Sequence, residues 1–158
     1  MKATASPDQI RKLSLNEGDI IITKDSESAE DIGVPAIVTE DLNNVVCGYH
    51  LTVIRPYDSI YNKFLFRSFE SKKINDQFVI AANGITRFGL SLYPIANAYI
   101  CIPPFEEQKE ISIFLEKEIS KIYKIINNIE KEIILLEEYK ISLINHVVFG
   151  KIDVRDEI

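Results

Sequence analysis

The sequence predicts an α+β fold in which a small, mostly β domain precedes one long coiled-coil-forming helix. Three observations predict it. From Phe105 to Phe149 there is neither proline nor glycine, so the stretch can run as one helix of about 65 Å at 1.5 Å per residue. Within it Ile119, Ile126, Ile133, Lys140 and Val147 recur every seven residues, interleaved with Leu115, Ile122, Ile129, Leu136 and Leu143, which draws one apolar seam along the helix. Upstream, short β-branched runs alternate with turn residues. The long helix leaves about one hundred residues for a single core.

Residues 1–14 are polar without a clear period and read as a frayed leader or what remains of an interrupted element. After the turn Leu15-Asn-Glu-Gly-Asp19 comes the strand Ile20-Ile-Ile-Thr23. A polar loop spans Lys24 to Gly33, and strand character resumes over Val34–Thr39. Asp41-Leu-Asn-Asn44 signals a turn, and Val45–Ile54 reads as one or two strands with a break at Gly48. From Ile60 to Ser71, Tyr61, Leu65 and Phe69 share a helical face, and Ser71 to Ile80 continues as helix or loop around Ile74 and Phe78. Ala81–Ser91 is a loop with two glycines, after which Leu92, Ile95, Ala96, Tyr99 and Ile100 return to the core. Pro103-Pro104 makes a stiff hinge, and Glu106 and Glu107 place acids at the positive end of the helix dipole. The divisions are therefore 1–102 for the domain, 103–150 for the helix and 151–158 for a tail.

The apolar seam needs a partner. Because no second long helix is encoded, a two-fold homodimer is expected, and Lys140 is the one charge in its repeated set, placed to select register at some expense of stability. Extra apolar residues at Ile125, Ile134, Leu135, Ile141 and Ile144 widen the stripe. The formal net charge is -6, yet residues 60–101 carry five basic and two acidic side chains and form a locally positive segment. No run of eighteen apolar residues and no hydrophobic leader is present, so a cytoplasmic protein without a membrane span is expected. Cys47 and Cys101, each among apolar neighbours, read as buried thiols in a reducing compartment.

Catalytic signals are weak. Ile102-Pro-Pro-Phe105 has the outline of an amino-methyltransferase loop, but Ile102 cannot accept a hydrogen bond from a target amine. Asp8 with Glu107 and Lys109 reproduces a nuclease-like set only at chance frequency. Cys47 and His50 on one strand would face opposite sides, which argues against a metal site. Asp25, Glu27, Glu30 and Asp31 read as a solvated acidic loop. No catalytic residue, metal or cofactor is expected.

Several stretches together resemble the specificity subunit of type I restriction-modification systems. They are Leu15-x-x-Gly-Asp-Ile20, Asp31-Ile-Gly33, Gly84-Ile-Thr-Arg-x-Gly-Leu-Ser91, Ile102-Pro-Pro-Phe-Glu-Glu-Gln-Lys-Glu-Ile111 and Leu143-Ile-x-x-Val-Val-x-Gly-Lys-Ile-Asp-Val-Arg155. The resemblance implies a noncatalytic chain whose target-recognition domain reads half of a split site in double-stranded DNA. The long helix would act as spacer and as docking rail for methyltransferase subunits, with restriction subunits joining through the assembled complex. The sequence looks like a shortened half of that arrangement, with strands expected before Leu15 reduced to the leader. In this reading Lys63, Arg67, Lys72, Lys73 and Arg87 are candidates for phosphate contacts, and Asn83, Thr86 and Arg87 for base edges. The competing expectation is a non-DNA-binding oligomerisation or regulatory module whose helix captures a protein partner.

Overall fold

The computed structural model describes residues 5–155. Contacts divide the chain into two units, Met1–Ile113 and Phe114–Ile158. The first begins with helix α1 (Pro7–Leu13), where a frayed leader was expected. The Ser6 hydroxyl accepts from the Gln9 amide at 3.2 Å and the Gln9 side chain accepts from the Ser6 amide at 2.8 Å, a reciprocal cap that, with Pro7 at the first helical position, makes a seven-residue polar helix possible.

Strand β1 (Ser14–Leu15) precedes β2 (Ile20–Thr23), the centre of a three-stranded antiparallel sheet in the order β4-β2-β6. Its partners are β4 (Pro35–Ile37) and β6 (Leu51–Ile54). Ile20 and Ile22 are fully buried while Ile21 and Thr23 are half-buried, the two-residue period of a sheet with one face on a core. The expected loop from Lys24 to Gly33 contains the short strand β3 (Asp25–Ser26) and a 3-10 turn at Ala29–Asp31, and it sends Ile32 into the core.

The turn expected at Asp41–Asn44 is mostly strand: β5 (Leu42–Val46) pairs antiparallel with β1. The turn chemistry is expressed as irregularity, because Asn44 has φ 64 and the β1 register slips between Ser14 and Leu15. Val45–Ile54 thus belongs to two strands, and Cys47 and His50 lie in the connection between them, not on opposite faces of one strand.

Helices α2 (Asn62–Phe69) and α3 (Lys72–Ala81) cover the sheet. Phe64, Leu65 and Phe69 are buried, and the fully buried Phe78 places its ring 5.7 Å from that of Phe69. Strand β7 (Phe88–Gly89) pairs with β3, and α4 (Leu92–Ala96) follows. Ile95 and Ile100 pack on the core as expected, but Leu92 and Ala96 are exposed, since a five-residue helix turns only one side inward, and Tyr99 beyond its end is exposed as well. Cys101 is also exposed, on the extended approach to Pro103, whereas Cys47 is half-buried and burial raises its thiol pKa against the pull of Lys24.

Helix α5 (Phe105–Val148) is continuous over 44 residues, and its first nine belong to the first unit. It ends where the amides of Lys151 and Ile152 return to the His146 carbonyl. The architecture is the α+β class expected, small antiparallel sheets followed by a long helix. Among the described residues no helix is long and apolar enough to cross a membrane.

Candidate nucleic-acid interface

The entry to α5 is fixed by one side chain. Gln108 is 1% exposed; its oxygen accepts from the Tyr61 amide at 2.8 Å, and its nitrogen donates to the carbonyls of Pro103 at 2.9 Å and Ser59 at 3.2 Å. All the polar capacity needed to bury this amide is met inside the first unit. The Glu-Gln pair after two prolines is therefore a structural lock between the chain before α2 and the first turn of α5.

A second lock lies in the Leu15–Ile20 motif. Asp19 is buried, accepts from the Asn16 amide at 2.9 Å, and is held by the Arg55 guanidinium through Nε at 3.0 Å and Nη2 at 3.1 Å. Arg55 also donates to the Ser14 carbonyl at 2.6 Å, and the Asp19 carboxylate raises its pKa. Gly18 sits here with φ +87, a backbone conformation that favours glycine, and a Cβ there would also displace the Asn62 side-chain nitrogen, 2.4 Å away. The depression of about 450 Å³ beside this motif offers Asp19 as a carboxylate already engaged by arginine.

The chemistry that faces solvent lies elsewhere in the unit. The Asn83 and Gly89 backbones exchange two hydrogen bonds, of 3.0 and 2.9 Å, and close a loop with Arg87 near its tip. Gly84 has φ +151, and a Cβ there would lie 1.8 Å from the Arg87 carbonyl, so the loop closes this tightly only on glycine. The Arg87 Nε donates to Asp25 Oδ1 at 2.5 Å, His50 Nδ1 lies 2.9 Å from Asp25 Oδ2, and Arg87 Nη2 lies 2.9 Å from His50 Nδ1 and 3.3 Å from its Nε2. Hydrogen bonds from His50 first, then Arg87, hold the Asp25 carboxyl below its ordinary range. Backbone bonds stitch the three segments: Lys24 N–H to the His50 carbonyl at 3.0 Å and Leu90 N–H to the Lys24 carbonyl at 2.7 Å.

Of the residues singled out from sequence, Arg87, Asn83 and Thr86 share this loop. Arg87 is not solitary, and the Asn83 side chain donates to the Ala81 carbonyl at 3.0 Å. Arg67 pairs with Glu70 at 2.6 Å and Lys72 with Asp76 at 2.9 Å, both along their own helical segments, and Lys63 and Lys73 are exposed. The exposed Lys72–Asp76 pair contributes little and can exchange its acid for a phosphate, whereas Arg67 is more enclosed, 4.9 Å over the Phe66 ring. In sequence Asp25 reads as part of a solvated loop and His50 as half of a rejected metal pair, because Asp25 lies 25 residues from His50 and 62 from Arg87 along the chain.

In the second unit the α5 seam lies open. Ile122, Ile126, Ile129, Ile133, Leu136 and Leu143 are exposed, Ile129 at 50%, as is Lys140, while Leu115, Ile119 and Val147 are half-buried. The widening residues Ile125, Ile134, Leu135, Ile141 and Ile144 are exposed too, so apolar exposure extends beyond the seam.

A family described as type I restriction modification DNA specificity domain matches residues 4–135. Among solved structures, the chain is similar to the crystal structure of the HsdS subunit from Thermoanaerobacter tengcongensis, with 23% identity and a TM-score of 0.58, over 71% of this chain and 28% of that one. That likeness is one of fold, and the chain spans 28% of the length of the subunit it matches. No curated protein matches it.

Proposed function

Because the chain belongs to the type I restriction-modification DNA specificity domain family, we propose that it binds double-stranded DNA sequence-specifically through its first unit and performs no chemistry itself. In this reading α5 docks methyltransferase subunits, restriction subunits join through the assembled complex, and the open seam pairs two copies of the chain. The observation that carries the reading is the family match, which runs from the compact unit well into α5. Support comes from the stitched Asn83–Gly89 loop, which offers a guanidinium to solvent, and from Lys63, Arg67, Lys72 and Lys73 as phosphate-contacting candidates on α2 and α3. Arg87, Asn83 and Thr86 remain the candidates for base edges.

Binding of the full chain to a randomised duplex library at two salt concentrations tests the proposal. Lys72→Ala and Lys73→Ala should each weaken binding to every sequence alike and flatten the salt slope by about 1, the signature of a lost phosphate contact. Absence of any sequence preference in the unsubstituted chain would reject DNA recognition and leave an oligomerisation module.

Lys140 supplies a separate check on the seam. Lys140→Leu should tighten self-association roughly tenfold, about the value of burying part of one leucine, while relaxing helix register. Sedimentation equilibrium reads this directly, and a weakened complex would mean that the ammonium makes a favourable contact across the interface.

A further inference from the structure

Asp25, His50 and Arg87 bring their side chains together at one edge of the guanidinium. With His50 Nδ1 2.9 Å from Asp25 Oδ2, Arg87 Nη2 lies 2.9 Å from Nδ1 and 3.3 Å from Nε2 and rests against the imidazole ring. The Nε/Nη2 edge of the guanidinium is then occupied, by Asp25 at Nε and His50 at Nη2. The opposite end, Nη1 with the outer proton of Nη2, makes no hydrogen bond among the described residues, and half of the Arg87 side chain is exposed. A long side chain that would otherwise sample many rotamers is thus held at one edge and open at the other.

We propose that Asp25 and His50 are positioning residues that hold Arg87 with its Nη1/Nη2 fork outward, and that this fork reads a guanine through O6 and N7 in the major groove. The inference rests on the DNA-binding reading above and adds to it a base and the two residues that select it. A guanidinium fork also fits a phosphate, but two features favour the base edge. The pair with Asp25 is neutral overall, which cancels most of the attraction to a phosphate backbone while leaving the directional hydrogen bonds intact. Next to Arg87 at the loop tip, Ile85 is 96% exposed, and an apolar side chain gains contact against a thymine methyl in the groove but nothing against phosphates. The loop is also closed by its own backbone at Asn83 and Gly89, so holding the fork in place is largely achieved before DNA arrives.

The test is selection from a randomised duplex library by the full chain, repeated with Arg87→Ala, Arg87→Lys, Asp25→Ala, Asp25→Asn and His50→Ala. The expected result is a guanine preference at one position that falls about tenfold with Arg87→Ala and is not rescued by Arg87→Lys, with other positions unchanged. Asp25→Ala should lower the same preference while strengthening binding to unselected DNA, because a carboxylate is removed; loss of charge alone produces only the second effect. Asp25→Asn, which keeps an accepting oxygen, should fall between, and His50→Ala should act in the same direction as Asp25→Ala. In the free protein, the Arg87 Nε–H resonance should be protected from exchange and lose that protection in Asp25→Ala, a readout that needs no DNA. If Arg87→Ala weakens all sequences equally, the fork binds phosphate and the inference is overturned. A selecting chain whose preferences survive Arg87→Ala or Asp25→Ala overturns it while leaving DNA recognition standing, whereas a chain that selects nothing overturns both.

Discussion

Gln108→Leu is expected to destabilise the first unit by about 3 kcal/mol and to lower its melting temperature by roughly 10 °C. Leucine fills much of the same volume, so the loss is polar: the Tyr61 amide and the Ser59 and Pro103 carbonyls would each lose the partner that Gln108 supplies. The amide dominates, because a half-buried donor beneath a helix start has the least access to replacement water. Gln108→Glu is a sharper variant. It keeps an acceptor for Tyr61 but turns an oxygen toward two carbonyls and buries a charge, so its stability should recover as pH falls and the carboxyl is protonated. Circular dichroism melts at two pH values measure both effects. A Gln108→Leu protein melting with the unsubstituted chain would show that the lock is not holding the hinge.

The second large effect concerns the seam. Ile126→Asp combined with Ile133→Asp should weaken the proposed pairing of two chains by more than about a hundredfold, since two isoleucines withdrawn from an apolar interface forfeit roughly 1.5–3 kcal/mol each before the cost of burying carboxylates is counted. Both side chains are exposed in the single chain, so the first unit should melt unchanged. Light scattering at micromolar concentration should give a dimer for the unsubstituted chain and a monomer for the double variant. A monomeric unsubstituted chain would sink the pairing itself.

What was legible from sequence follows the range of the interactions involved. The long helix is written in its own spacing, free of proline and glycine, and it forms over the residues that spacing marks. Strand β2 was equally plain, because alternate burial of Ile20 and Ile22 needs only local β-branching. Helix α1 was readable but overlooked: Ser6 and Gln9 form a capping signature three residues apart, obscured by the polar composition that made the segment resemble a leader. Strand β5 was obscured for the opposite reason, since Asn44 carries a genuine left-handed turn conformation inside a paired strand. The Glu-Gln motif stands out in the sequence as a signature, yet its structural role depends on Ser59 and Tyr61, which lie far from it along the chain. Beyond any local reading was the triad, in which an acid from a loop thought merely solvated meets a histidine and an arginine from distant segments. Arg87 could be nominated by charge; its companions depended on the β3–β7 pairing that brings Asp25 beside Gly89.

The closed loop bearing Arg87 has a consequence for how such a protein changes over generations. Its closure relies on the backbones of Asn83 and Gly89 and on the tight turn at Gly84, while Ile85 and Thr86 project from it and are both exposed. Exposed substitutions of that kind commonly alter folding free energy by less than about 0.5 kcal/mol. Residues 85 and 86 can therefore drift almost neutrally with respect to folding while the surface offered to a ligand is rewritten. Novelty can accumulate there without passing through unfolded ancestors.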